Sequence, residues 1–201
     1  MHKPIVLIRA ERLGFSYPGH ALLHDLSFAI SPGLTLVRGG DGRGKSTLLR
    51  LLAGVQPPVE GAVHRIAGTL FWVSPTNPDD DPLTGRQWLA ARRADYSAWD
   101  GQAEALLIDR FGLTEHIGKP LYMLSTGSRR KVWLVAAAAC QAQVTLLDMP
   151  YAALDGPSGR VLSDILAGAA ASADRAWVVA DYDLPAGLAG RTLAATIELG
   201  D

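Results

Sequence analysis

The chain has a single cysteine and no long hydrophobic run, and these two absences exclude whole classes of protein. Its 201 residues contain only Cys140, so no disulfide can form within the chain. The apolar run from Val132 to Cys140 indicates a buried helix and is far too short to cross a bilayer. Residues Met1 to Pro4 lack the architecture of a signal peptide. We therefore expect a cytoplasmic chain. A partner could still bring it to the inner face of a membrane, a point on which the composition carries no information.

An excess of either charge sign is also missing. The 19 basic and 20 acidic side chains are spread along the chain and give a formal net charge of -1. This balance offers no general electrostatic case for nucleic acid as a partner. Hydrophobic residues make up 48% of the chain and charged residues 19%, a composition that predicts a folded domain with a sizeable core.

The order of the predicted elements indicates an α/β fold in one domain, residues 1–201, with a helical insertion over roughly residues 82–141. Glycine and proline divide the pattern into short strands and amphipathic helices, and one irregular loop is predicted at residues 74–82. The predicted strands are Ile5 to Ile8, Arg12 to Tyr17, Leu26 to Ile30, Leu34 to Arg38, Val144 to Leu147, Ala176 to Ala180 and a closing element at Thr192 to Leu199. The predicted helices are Lys45 to Ala53, Arg86 to Ala94, Gln102 to Phe111, Ser128 to Gln141 and Gly156 to Ala170.

A glycine-rich loop stands between a predicted strand and a predicted helix. It matches the pattern G-x-x-x-x-G-K-[ST], in which backbone N–H groups and the lysine face phosphates and the hydroxyl ligates Mg²⁺. We expect phosphate contacts from the whole loop and from the residue after it, and Mg²⁺ ligation by Ser46. A purely structural glycine turn is the alternative. The expected phosphate-binding residues are Gly39, Gly40, Asp41, Gly42, Arg43, Gly44, Lys45, Ser46 and Thr47.

Asp148 supplies the second half of the predicted site. It ends the apolar strand that begins at Val144, and its carboxylate can hold Mg²⁺ through the water shell of the ion. A carboxylate at the end of a hydrophobic strand is also common for structural reasons. Asp148 therefore gains its functional meaning from the phosphate loop.

A second motif, Leu-Ser-Thr-Gly-Ser at residues 124–128, precedes basic residues and a predicted helix. It resembles the signature loop of the ABC ATPase family, and from about Leu13 onward the motifs follow the order of that family. The resemblance implies a P-loop NTPase core with a parallel sheet, an N-terminal antiparallel β subdomain and an inserted helical subdomain. It also implies that Ser125 and Gly127 contact the γ-phosphate of ATP held by a second cassette. From the residues alone, Ser125 is equally an ordinary helix N-cap.

The resemblance assigns two further places. Tyr17 matches the aromatic residue that stacks on adenine, although it is equally explained as a strand residue. Residues 153–155, Ala-Leu-Asp, resemble the D-loop of the family. A GTPase would carry an Asn-Lys-x-Asp guanine reader, and none is present, so adenine is the favoured base.

Three positions depart from the family, and all three belong to the chemistry of water attack. Met149 stands where the family carries a Glu general base, and a thioether cannot accept a proton from water. Tyr182 stands where the family places a His, and it can donate a hydrogen bond but carries no cation. The family's Gln aligns near Pro75, where either Thr76 or Asn77 could substitute.

These features predict an ATP-binding subunit of an ABC-type transporter. Its cofactors would be ATP and Mg²⁺, bound at a head-to-tail interface with a second cassette, with hydrolysis impaired and a separate membrane-spanning permease as partner. Two alternatives stay open: a nucleotide-gated regulatory module that does not hydrolyse ATP, and the degenerate half of an asymmetric heterodimer. Whether the chain is an enzyme is also open, since Asp181 or Asp183 could replace the missing base or could simply be solvated.

Overall fold

The computed structural model describes residues 5–73 and 77–200. The chain divides into two compact units. The described part of the first unit comprises residues 5–70, 143–149 and 166–200, and that of the second comprises residues 71–73, 77–142 and 150–165. The second unit contains the predicted insertion, begins before it, and includes a further segment after residue 149. A single domain over residues 1–201 stays a prediction.

Eight strands and five α-helices lie in the described residues. The strands are β1 (Ile8–Tyr17), β2 (His20–Ile30), β3 (Gly33–Arg38), β4 (Glu60–Arg65), β5 (Leu70–Phe71), β6 (Val144–Asp148), β7 (Ala176–Asp181) and β8 (Ala195–Glu198). The helices are α1 (Lys45–Ala53), α2 (Gly85–Asp95), α3 (Gly101–Arg110), α4 (Thr126–Ala139) and α5 (Gly156–Ala170). The predicted α1 and α5 are confirmed in both bounds, and the other predicted helices agree within two residues.

An antiparallel sheet in the order β2-β1-β4 forms one part of the first unit. Its strands are longer than predicted. The expected break between Ile8 and Arg12 is wrong, because β1 pairs with neighbours on both sides and absorbs the irregularity as shifts of register. The prediction also missed β4, whose six residues are all exposed or half-buried and show no apolar pattern. The predicted antiparallel subdomain is confirmed.

A parallel sheet forms the other part of the first unit, with β6, β7, β3 and β8 side by side. Residues of β3, β6 and β7 are buried almost throughout, as expected for strands covered on both faces. Helix α1 packs against β6 and β7 through its leucines. Because parallel strands share one carboxyl edge, the loops after β3, β6 and β7 meet there. The phosphate loop, Met149 and Tyr182 occupy those three loops.

Helices dominate the second unit. Helix α4 packs against α2 and α3, and its apolar face from Val132 to Ala139 is buried, as predicted for the run that ends at Cys140. A capping box starts α2, since Thr84 Oγ1 accepts from Gln87 N at 3.1 Å and Gln87 Oε1 accepts from Thr84 N at 2.9 Å. A short 3₁₀ turn, Pro78–Asp80, lies within the predicted irregular loop. No helix in the described residues is long and apolar enough to span a membrane.

Candidate functional site

The phosphate loop connects β3 to α1 and depends on glycine geometry. Gly44 is the N-cap of α1 and has a φ of 92°, a left-handed conformation that side chains rarely adopt. A Cβ at this position would also lie 2.9 Å from the Leu23 side chain. The loop therefore needs glycine before the lysine. The N–H groups of the first turn of α1, which have no partner within the helix, are presented at the loop.

The Lys45 side chain is folded back onto this loop. Its Nζ donates to the carbonyl oxygens of Gly39 at 2.6 Å and Gly40 at 2.8 Å, and the residue is only 7% exposed. Burying an ammonium group requires such partners. The contacts hold a positive charge at the centre of the loop, as the sequence motif predicts.

Tyr182 lies against this charge. The Lys45 ammonium is 4.3 Å from the centre of the Tyr182 ring, within the range of a cation–π contact. The Tyr182 hydroxyl donates a hydrogen bond to the Asp41 carboxylate, which raises the pKa of Tyr182 above its ordinary value. The hydroxyl is therefore protonated at neutral pH. Thus a residue that departs from the family pattern contacts two residues of the phosphate loop.

The segment that carries Tyr182 is tied to β3. Arg38 donates from Nε to the Tyr182 carbonyl oxygen at 3.2 Å, and its guanidinium pairs with Asp183 at 2.7 Å. Asp181 accepts from the Tyr182 N–H at 2.8 Å. Both candidate replacements for the general base thus have partners, Asp181 in the Tyr182 N–H and Asp183 in the Arg38 guanidinium. No local pattern points to Arg38, because an ion pair across 145 positions follows no spacing rule.

Tyr17 lies at the end of β1 and contacts α1. Its hydroxyl is 3.4 Å from Thr47 Oγ1 and accepts from Arg50 at 3.1 Å, and Arg50 also donates to Thr47 at 3.1 Å. The hydrogen bond with Thr47 and the Arg50 charge lower the pKa of Tyr17. The ring is held edge-on to Phe15 and is 43% exposed, which leaves part of it for stacking. Arg50 was missed, although it lies one helical turn after Thr47.

These residues line one open groove of about 490 Å³ in the first unit. This volume falls within the range of small-molecule sites, about 300–1,000 Å³. Gly39 is absent from the lining and contributes only its carbonyl to Lys45. Of the predicted site residues, the groove brings together Tyr17, Gly40, Asp41, Gly42, Arg43, Gly44, Lys45, Ser46, Thr47, Met149 and Tyr182.

The predicted cation ligands, Asp148 and Ser46, lie at the ends of neighbouring elements of the first unit. Asp148 ends β6, and its Oδ1 is buried without a hydrogen-bond partner in the described part of the chain. A buried carboxylate oxygen without a partner is costly, and a hydrated cation would satisfy it. Ser46 lies in the first turn of α1 and lines the groove. The two side chains fit a magnesium site.

Met149 lines the same groove directly after Asp148. Its φ is 45°, and its N–H donates to the Ala180 carbonyl at 2.9 Å, so the backbone here is fixed by β7. Among the described residues around the groove, Asp41 is the only carboxylate, and Tyr182 binds it. The place expected to hold a general base thus carries a thioether.

The signature-like loop lies in the second unit at the start of α4. Ser125 is the N-cap, since its Oγ accepts from Ser128 N at 3.1 Å, so the capping role is present. Gly127 passes close to the D-loop-like segment. A Cβ at residue 127 would lie 2.3 Å from the Ala153 carbonyl oxygen. Glycine is therefore required here by packing within the unit.

Asp155 closes the D-loop-like segment and has a structural role. Its carboxylate accepts from Ser158 N at 2.8 Å at the start of α5 and pairs with Lys131 of α4 at 2.7 Å. Lys131 and Ser158 together hold the pKa of Asp155 well below its usual range. Pro75, near which the family's Gln aligns, and Thr76, one of its two expected substitutes, lie outside the described residues. Asn77 caps the turn at Pro78–Asp80 by accepting from Asp79 N at 3.3 Å.

Comparisons with known proteins find relatives of this chain. The family model described as ABC transporter matches residues 23–152. The chain is 30% identical over 183 residues to the zinc import ATP-binding protein ZnuC of Halorhodospira halophila, covering 89% of this chain and 68% of that protein. It is 32% identical over 194 residues to the cytochrome c biogenesis ATP-binding export protein CcmA of Mesorhizobium japonicum, covering 92% and 95%.

Solved structures show the same fold. One, described as the ATP binding subunit of an ABC transporter, aligns with a TM-score of 0.71 at 21% identity and covers 87% of this chain and 79% of that one. Another, cbiO1 from Clostridium perfringens, aligns with a TM-score of 0.64 at 20% identity and covers 90% and 80%. The family match and the sequence relatives establish the class: the chain belongs to the ABC transporter family, as one of its ATP-binding cassettes.

Proposed function

We propose that this cassette binds MgATP in the groove of the first unit and hydrolyses it slowly. The observation that carries the proposal is the convergence of Lys45, Tyr17 and the phosphate loop on one groove of about 490 Å³. The buried ammonium group and the loop N–H groups would bind the phosphates. The exposed part of the Tyr17 ring would stack on the base.

Magnesium would be held by Ser46 directly and by Asp148 through water. When bound, the ion neutralises phosphate oxygens that otherwise repel each other. Asp148 contributes a buried oxygen that has no partner in the described structure, and Ser46 contributes a hydroxyl at the start of α1. Both roles are supported by position and by donor chemistry.

Slow hydrolysis is proposed from the groups around the groove. A general base is worth about 10²- to 10⁴-fold in rate, and Met149 cannot provide one. Asp41 is close to the phosphate loop, but its carboxylate already accepts a bond from Tyr182. Asp183 pairs with Arg38. No described carboxylate at the groove is therefore placed to deprotonate water.

A second cassette and a membrane-spanning subunit are the proposed partners. Ser125 and Gly127 lie at the N-terminus of α4, where backbone N–H groups could receive a phosphate from another chain. One structural relative is described as part of the ABC transporter complex cbiONQ. ZnuC is named for zinc import and CcmA for export in cytochrome c biogenesis, so the named relatives support a transporter and do not define its cargo.

Nucleotide binding is tested with two lysine variants. Titration with a fluorescent ATP analogue should show at least a tenfold loss of affinity in Lys45→Ala, because a charge-assisted contact is worth about 1.5–3 kcal/mol. Lys119→Ala removes an exposed lysine of the second unit and should bind as wild type. Equal affinity in all three proteins would refute the site.

Sedimentation with MgATP distinguishes the proposed assemblies. A homodimer would double the 21.4 kDa mass only when MgATP is present. A chain that binds MgATP and stays monomeric would favour the heterodimer alternative, in which the signature-like loop serves a different cassette. Binding without measurable hydrolysis in either assembly would favour the nucleotide-gated module.

A further inference from the structure

The ammonium group of Lys45 makes two hydrogen bonds and one ring contact within the chain itself. The hydrogen bonds are accepted by the carbonyl oxygens of Gly39 and Gly40, at 2.6 and 2.8 Å. The Tyr182 ring lies 4.3 Å away on the remaining side. The lysine is 7% exposed, whereas Tyr182 is 45% exposed. The ring therefore covers the charge from the solvent side of the groove.

The ring is held in place at both ends. Its hydroxyl donates to Asp41 in the phosphate loop, and its backbone carbonyl accepts from Arg38 at 3.2 Å. The Arg38 and Asp183 ion pair, at 2.7 Å, fixes the following residue. Rotation of the side chain can uncover Lys45 while these backbone contacts persist. Rotations of exposed side chains take picoseconds to nanoseconds, far faster than ligand binding.

We propose that Tyr182 gates Lys45, so that a nucleotide can place its terminal phosphates on the lysine only after the ring has rotated away. The gate rests on the proposed nucleotide binding and makes that binding slower and weaker than it would be at an open site. Phosphate groups must compete with the ring and with the Asp41 carboxylate. A ligand without phosphates has no reason to move either group.

The gate has a kinetic signature. When only a fraction of molecules is open, the apparent association rate equals the rate of the open form multiplied by that fraction. The affinity is lowered by the same factor. Once the phosphates are bound to Lys45, the Tyr182 ring no longer contacts the lysine. The nucleotide therefore dissociates as fast as it would from a chain without the gate. If Tyr182 instead contacted bound nucleotide, its removal would accelerate dissociation.

Stopped-flow binding of a fluorescent MgATP analogue tests this in wild type, Tyr182→Ala and Tyr182→Phe. A cation–π contact and one hydrogen bond to a carboxylate are together worth about 30- to 1,000-fold in the open population. We expect association with Tyr182→Ala to be faster by about that factor, with dissociation within twofold of wild type. Tyr182→Phe keeps the ring and loses the bond to Asp41, so its gain should be smaller.

Tyr122→Ala is the matched control, because Tyr122 is 65% exposed and belongs to the second unit. It should bind as wild type, and thermal unfolding of each variant confirms its fold. Association of Tyr182→Ala that is unchanged or slower, or an effect confined to faster dissociation, would overturn the gate. Failure of wild type and of Tyr182→Ala alike to bind MgATP would instead refute the proposed function. Binding only by Tyr182→Ala would be the gate in its strongest form.

Discussion

Replacing Gly127 by alanine should destabilise the second unit in the absence of any partner. The added Cβ would lie 2.3 Å from the carbonyl oxygen of Ala153 and 3.5 Å from its carbonyl carbon. Real Cβ contacts under 3.0 Å essentially never occur, and the obstructing atom is backbone, so one of the two segments must move. Insertion of a methyl group into a packed region costs about 1–3 kcal/mol.

Equilibrium unfolding in urea, followed by tryptophan fluorescence, measures this cost. Trp88, Trp99 and Trp133 lie in the second unit, so the signal reports mainly on that unit. Gly101→Ala is the matched control, because a Cβ at the start of α3 meets nothing within 4 Å. Alanine is favoured over glycine in helices by about 0.5–1 kcal/mol, so the control should be as stable as wild type or slightly more stable.

The reasoning is refuted if Gly127→Ala unfolds at the same urea concentration as wild type. That result would show that packing does not require glycine at residue 127. Contact with a second cassette would then be the remaining reason for glycine there. If the variant is destabilised as expected, a dimerisation defect of any Gly127 substitution has two possible causes. Stability must then be measured before such a defect is assigned to the signature-like loop.

Two further predictions concern turnover and pH. Met149→Glu should accelerate ATP hydrolysis by about 10²- to 10⁴-fold by supplying a base in the groove, with Met123→Glu, an exposed methionine of the second unit, as the inactive control. An unchanged rate in Met149→Glu, even when combined with Tyr182→His, would refute this role of residue 149. Asp155→Asn keeps a helix cap but loses the ion pair with Lys131, so at pH 7 it should be less stable by about 0.2–1 kcal/mol. Because the pKa of Asp155 is lowered in the folded chain, the full difference in stability is expected above about pH 4, where the unfolded carboxylate is ionised. The difference should shrink as the pH falls further. A difference that grows in acid would contradict the assignment.

The sequence predicted the helices well because their ends carry local signals. Gly54 terminates α1 with a φ of 74° and donates to the Leu51 carbonyl at 3.0 Å, a contact that depends on a few neighbouring residues. The phosphate loop was predictable for the same reason, since its glycines, Lys45 and Ser46 are consecutive. Spacing rules apply where the interacting groups lie within a turn or two of each other.

Long-range contacts at the site could not be predicted in this way. The bond from Tyr182 to Asp41 joins residues 141 positions apart, and its partners are ordinary surface residue types. The approach of Gly127 to Ala153 depends on two separate segments of the second unit. The resemblance to the family located Tyr182 and Gly127, but the contacts that each makes within its own unit came only from the structure.

The structure also gives a physical reason why the phosphate loop should tolerate less change than residue 149. Gly44 and Lys45 are part of the fold, because the first provides a left-handed backbone and the second holds two carbonyls of its own loop. At position 149 the backbone is fixed by the hydrogen bond to the Ala180 carbonyl, which the main-chain N–H donates and which does not involve the Met149 side chain. The Met149 side chain lines an open groove and can be exchanged at little cost to packing. A cassette in which hydrolysis is slow, as proposed, can therefore lack the base at residue 149 and still fold. Loss of the phosphate loop would instead destabilise the first unit.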